Sequence, residues 1–184
     1  MTGKKENRRV RMTKRLMKNA LLELMEEKDL ANISVTAVCE TADVHRSTFY
    51  KYYTDPADLL RDIEQDYLDM IPTPPQILDP ENEKTLLDAT SVFFDFIKEN
   101  KRTLQTLFHS SSGSNFAGKM VDHLCRGYIP VGENPDEPAA RFTQLYIANG
   151  TVGMLREWIS EDSPLSSREI AEMMYNLSRR IAQQ

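Results

Sequence analysis

Residues 34–53, SVTAVCETADVHRSTFYKYY, constrain this chain more than any other segment. Ser34 suits a helix start, because its hydroxyl accepts a hydrogen bond from a backbone N–H that the first turn leaves unpaired. Val35, Val38, Cys39 and Ala42 then fall at i, i+3, i+4 and i+7, the apolar stripe of a short helix. Thr41-Ala42-Asp43 ends that helix, and Asp tolerates the left-handed backbone of a tight turn. Val44 is an apolar plug, and His45 or Asp43 is placed to cap a second helix from Arg46 towards Tyr53. On it Phe49 shares the inward side with Val44, while Arg46, Ser47, Tyr50 and Lys51 share the other. Donors on one face and a large apolar anchor on the opposite one suit a helix-turn-helix, whose second helix enters the DNA major groove. The same residues also fit an amphipathic hairpin inside any all-α core, so the flanks have to decide.

The flanks are electrically polarised. Residues 1–15 carry seven basic side chains (Lys4, Lys5, Arg8, Arg9, Arg11, Lys14, Arg15) against one acid, Glu6. Such an arm suits phosphate contact or a minor groove; a solubilising tail is the plainer reading. Up to Tyr53 there are 11 basic and 7 acidic residues, and beyond it 12 basic and 21 acidic. The overall charge of −5 therefore hides a basic end and an acidic body.

Residues 10–70 resemble the TetR-type transcriptional regulators. The likeness runs through Thr13-Lys14-Arg15, Ala20-Leu21-x-x-Leu24, Ile33-Ser34-Val35-x-x-Val38 and Thr41-Ala42-Asp43-Val44. It continues through Ser47-Thr48-Phe49-Tyr50-Lys51-Tyr52-Tyr53 and Asp58-Leu59-Leu60. The resemblance implies four helices, the third being the recognition helix. It places Thr36, Arg46, Ser47, Thr48 and Lys51 at the groove, Tyr50 and Tyr52 on phosphates, and His45 where the family usually begins the recognition helix with Ser. Lys14 and Arg15 join them as backbone contacts. Two departures stand out: Asp43 replaces the usual turn glycine, and Asp55-Pro56 stands where a Lys commonly opens the fourth helix. Asp as N-cap and Pro at the first helical position still make a good helix start, at the loss of one phosphate contact.

The remainder reads as helical. Glycine is sparse, seven in 184 residues, and the apolar patterns have helical spacing. We expect an all-α fold of about nine helices: an N-terminal three-helix helix-turn-helix domain (1–54), a connecting helix (55–71), and a C-terminal helical dimerisation and ligand domain (72–184). Four prolines between residues 72 and 80 mark the boundary. Helices are expected near 13–28, 34–42, 46–53, 56–70, 83–100, 101–109, 115–128, 137–161 and 166–182. No apolar run is long enough to cross a membrane, and the basic N-terminus lacks the apolar core of a secretion signal. Two separated cysteines, Cys39 and Cys125, argue against a disulfide and for a reducing cytoplasm.

The last two helices carry apolar stripes that suit a two-fold four-helix bundle, with Tyr146, Leu155, Trp158, Ile170, Met173, Met174 and Leu177 at the interface. Packing within the same subunit is the alternative. An aromatic and methionine set, Phe93, Phe96, Leu107, Phe108, Met120, Leu124 and Tyr128, would line an effector pocket, or simply form core. The segment Gly150-x-x-Gly153-x-x-Arg156-Glu157-Trp158 also resembles a branch of the family that includes activators of dihydroxyacetone-kinase genes. Nothing points to catalysis: the serines after His109 lack a Gly-x-Ser-x-Gly elbow, His123-x-Cys125 offers too few metal ligands, and no glycine-rich phosphate loop is present. No cofactor is expected. The chain reads as a ligand-responsive repressor that binds double-stranded DNA at a palindromic operator as a homodimer and responds to a small-molecule effector. The alternative is a related co-activator that works through protein partners with weak or no DNA binding.

Overall fold

A computed structural model describes residues 8–71, 83–109, 115–127, 138–160 and 163–182. Among them are nine α-helices and no strand. The chain falls into two compact units: Met1–Tyr67 with His109–Ser114, and Leu68–Phe108 with Asn115–Gln184.

The first unit holds α1 (Arg8–Met25), a 3-10 turn (Leu30–Asn32), α2 (Val35–Thr41), α3 (Arg46–Tyr50) and most of α4 (Pro56–Met70). Helix α1 starts five residues before the expected Thr13, because arginine is a good helix former and a basic run need not be a loose tail. Its buried residues are Met17, Ala20 and Leu21, whereas Leu16 is 39% exposed. The Ser34 hydroxyl caps α2 by accepting from the Ala37 N–H at 3.1 Å. Two bonds close its far end, Asp43 N–H to the Glu40 carbonyl (3.3 Å) and Val44 N–H to the Cys39 carbonyl (3.0 Å). This pairing is the Schellman motif, and it needs a left-handed residue between the two helices. Asp43 supplies it with φ 52°. His45 occupies the N-cap position of α3 with extended backbone, but its side chain makes no capping hydrogen bond. Helix α4 starts as expected: Asp55 Oδ1 accepts from the Asp58 N–H (2.7 Å), and the Asp58 carboxylate accepts from the Thr54 N–H (3.0 Å). That backbone bond holds the Asp58 carboxyl below its ordinary pKa.

The second unit holds the end of α4 and α5 (Glu83–Glu99), α6 (Lys101–His109, whose last residue groups with the first unit), α7 (Phe116–Gly127), α8 (Pro138–Ser160) and α9 (Ser167–Ala182). Helix α9 lies along α5, and α8 packs on both α7 and α9. A reciprocal capping box opens α9: Ser166 N–H donates to the Glu169 carboxylate (2.8 Å) and Glu169 N–H to the Ser166 hydroxyl (3.2 Å). Trp158 is central to the packing, meeting Phe94 edge-on at 5.5 Å while its Nε1 donates to the Leu165 carbonyl at 3.0 Å.

This packing divides two sets of sequence expectations. Leu155 and Trp158 on α8 and Ile170 and Met174 on α9, expected at a subunit interface, are buried within their own chain, where α8 packs on α7 and α9, and α9 on α5. Tyr146, Met173 and Leu177 are exposed, as is Phe142, so the outer apolar face differs from the inner one. Phe93, Leu107, Met120 and Leu124, expected around a ligand, are packed core, and Phe96 and Phe108 are half-buried. Tyr128 lies outside the described residues. Two surface hollows are lined by other side chains: an open groove edged by Phe142, Tyr146, Gly150 and Ile181, and a polar one between Asn115, Asp122, Asn149 and Arg156.

The Asp43 turn and the Phe49 anchor give the first test. Asp43→Gly should raise unfolding free energy by about 0.5–1 kcal/mol and Asp43→Val lower it by about 1–2 kcal/mol, since the left-handed conformation is free to Gly and costly to a β-branched residue. Phe49→Ala should cost about 3–5 kcal/mol, as for other buried aromatics. Urea unfolding followed by circular dichroism reads all three.

Candidate nucleic-acid interface

Helix α3 has five residues, too few to persist alone in water. What holds it is Phe49, wholly buried, whose ring meets Tyr50 and Tyr53 with centroids 5.8 Å away in each case. Burying Phe49 inward turns the opposite side of the helix outward. His45, Arg46, Ser47, Tyr50 and Lys51 are exposed, and Tyr50 is 57% exposed despite its size. Thr48 and Tyr52 are half-buried beside them, as are Thr36 on α2 and Lys14 on α1; Arg15 is exposed. Arg46 carries a planar fork of hydrogen-bond donors, Ser47 a hydroxyl and Lys51 a compact positive charge, donor types that base edges and phosphates accept from.

The electrostatics are ordered around tyrosine rings. Lys14 Nζ lies 6.0 Å from the Tyr52 ring centroid and 5.9 Å from that of Tyr53, and Lys51 Nζ lies 5.7 Å from Tyr52. Each distance is within reach of cation–π attraction. Two lysines from different helices thus gather beside one half-buried ring. On α2, burial pushes the Cys39 thiol up and outweighs the pull of the Arg46 charge, so Cys39 remains a neutral core residue. Among the described residues no group of three or more His, Cys, Asp and Glu side chains is arranged to hold a metal ion.

Sequence reasoning missed the support behind this face. Lys18 Nζ lies 2.9 Å from Asp62 and 2.5 Å from Asp66, and donates to the Asp62 carbonyl at 3.3 Å. The Tyr53 hydroxyl donates to Asp62 Oδ2 at 2.6 Å. Burial pushes the Asp62 carboxyl up, but the Tyr53 and Lys18 hydrogen bonds and the Lys14 and Lys18 charges hold it below its ordinary value. The signal lay in the spacing: Lys14 and Lys18 are four apart on α1, and Asp62 and Asp66 are four apart on α4, so each pair shares one helix face.

A family model described as a transcriptional regulator C-terminal region, of TetR type, matches residues 84–180. An HTH-type transcriptional regulator of Bacillus subtilis (strain 168), YxbF, itself uncharacterized, is 30% identical over 176 residues. The match covers 88% of this chain and 43% of YxbF, so the chain spans less than half of that relative's length. A solved TetR transcriptional regulator from Streptococcus agalactiae 2603V superposes with a TM-score of 0.69 at 20% identity, covering 95% of this chain and 96% of the other. The dihydroxyacetone kinase operon activator DhaS gives 0.62 at 20% identity, covering 93% and 96%. Both likenesses are of fold.

The lowered Asp62 carboxyl makes a pH prediction. A carboxyl depressed by folding contributes stability that is complete above its unfolded pKa and is lost as pH falls through the depressed folded value. Asp62→Asn should therefore be less stable than the native chain at pH 7 and pH 5. The gap should close as pH drops below the ordinary 3.8. Thermal unfolding across that range measures it; a gap that widened in acid would contradict the assignment.

Proposed function

Since this chain belongs to the TetR family of transcriptional regulators, we propose that it binds DNA sequence-specifically as a homodimer on an inverted-repeat operator, represses by occupying it, and is released by a small-molecule effector. The observation that carries the reading is the side of α3 opposite Phe49, with Arg46, Ser47 and Tyr50, and Lys51 at the C-cap, turned outward. The first unit is the DNA-binding unit, and the second serves dimerisation and effector response. Cytoplasmic residence accords with free Cys39 and Cys125 and with the absence, among the described residues, of a helix long and apolar enough to cross a membrane.

Phe142 and Tyr146 on α8, at 73% and 69% exposure, and Met173 and Leu177 on α9 support the dimer. Large apolar side chains gathered on one face are a liability to a monomer. An inverted repeat needs a two-fold reader, with recognition helices about 34–36 Å apart to reach successive major grooves. An effector acts by preferring a state with another spacing, and shifts the equilibrium by its differential affinity alone. Bound over a promoter, such a dimer represses by occlusion, and the footprint relative to the start site tests that sign.

Selection of duplexes from a random pool by the purified chain should recover an inverted repeat. On that repeat Arg46→Ala should lose about 1–3 kcal/mol and relax preference at one base position. An unchanged selection would remove Arg46 from the groove, and failure to retain any duplex would favour the co-activator reading. In sedimentation, the native chain should run at twice the 21.2 kDa of one chain. Phe142→Glu with Tyr146→Glu should run as a folded monomer; a persistent dimer would place the interface elsewhere.

A further inference from the structure

The basic face stands on an acidic residue. Tyr53 is 5% exposed, so its side chain is withheld from any duplex. Its hydroxyl is fixed by Asp62 at 2.6 Å, and Lys18 braces the same carboxylate at 2.9 Å. The Tyr53 ring in turn lies 5.9 Å from Lys14 Nζ, which also lies beside Tyr52, the ring that Lys51 approaches from α3. A continuous path of contacts therefore leads from a carboxylate on α4, through a buried phenol, to the lysine pair on the outer face.

We propose that Asp62 is a positioning residue for duplex binding: through Tyr53 and Lys18 it fixes the ring against which Lys14 is held, and so strengthens DNA binding although its own charge repels DNA. The proposal rests on the DNA-binding reading above and adds to it the residue that orders one of its phosphate contacts.

The opposed signs make it testable. Simple charge counting has Asp62→Asn tighten binding to every duplex, because the first unit gains one net positive charge. Positioning has it weaken binding roughly two- to tenfold, the worth of one hydrogen bond. The slope of log affinity against log salt should also become shallower, by up to about 0.9 if one phosphate contact is lost. Tyr53→Phe keeps the charge and the buried ring and removes the hydroxyl. Charge counting gives it no effect; positioning gives it the same loss and the same shallower slope.

The experiment is fluorescence anisotropy of the full chain on a random-sequence duplex between about 50 and 200 mM salt, with thermal unfolding of each variant alongside. Weaker binding with a shallower slope in both folded variants is the expected result. Binding by Asp62→Asn that is equal or tighter, or weaker with an unchanged slope, overturns the proposal. Should Asp62→Asn fail to fold, Tyr53→Phe decides alone, and native affinity and slope in that variant overturn it. If the native chain itself binds no duplex at low salt, the DNA-binding reading fails first and the proposal falls with it.

Discussion

The burial of Phe49 is the contact on which the outer face of α3 depends. A five-residue helix gains too few internal hydrogen bonds to offset the cost of its first turn. It exists because one aromatic side chain is fully withdrawn from water, worth on the order of 2–3 kcal/mol, and because the turn before it is closed by two backbone bonds across Asp43. Anchoring one side fixes the other. Arg46, Ser47, Tyr50 and Lys51 are outward because Phe49 is inward, so the orientation of the reading face is a consequence of packing.

Charge is paired beside that face. Lys14 and Lys51 lie near Tyr52. Asp62 and Asp66 meet Lys18, and the Tyr53 hydroxyl donates to Asp62. Partly exposed ion pairs contribute little stability singly. Their value here is geometric, because a side chain as flexible as lysine gains definition from rings and carboxylates that limit where its ammonium rests.

In the second unit, apolar periodicity had two possible uses, and the packing of α9 along α5 chose between them. Ile170 and Met174 became core, while Met173 and Leu177 on the same helix stayed outside. On α8, Trp158 and Leu155 went inward, with Phe142 and Tyr146 left to solvent. A helix apolar over more than one face announces that something must cover it without saying what. The aromatic set around Phe93 and Met120 illustrates the same ambiguity, since core and ligand lining share composition and spacing.

Local chemistry was legible in the residues themselves. Ser34 and Asp55 mark helix starts because their side-chain oxygens accept from backbone N–H groups three residues on, a relation wholly contained in the sequence. Asp43 as the turn residue, Phe49 as the anchor and the separation of basic and acidic halves were equally local. The Lys18–Asp62–Tyr53 cluster, the split of the α8 and α9 stripes and the partners of Lys14 were decided by tertiary structure. Each joins residues on different helices or opposes two faces of one helix, and periodicity reports that a face exists without naming the surface that meets it.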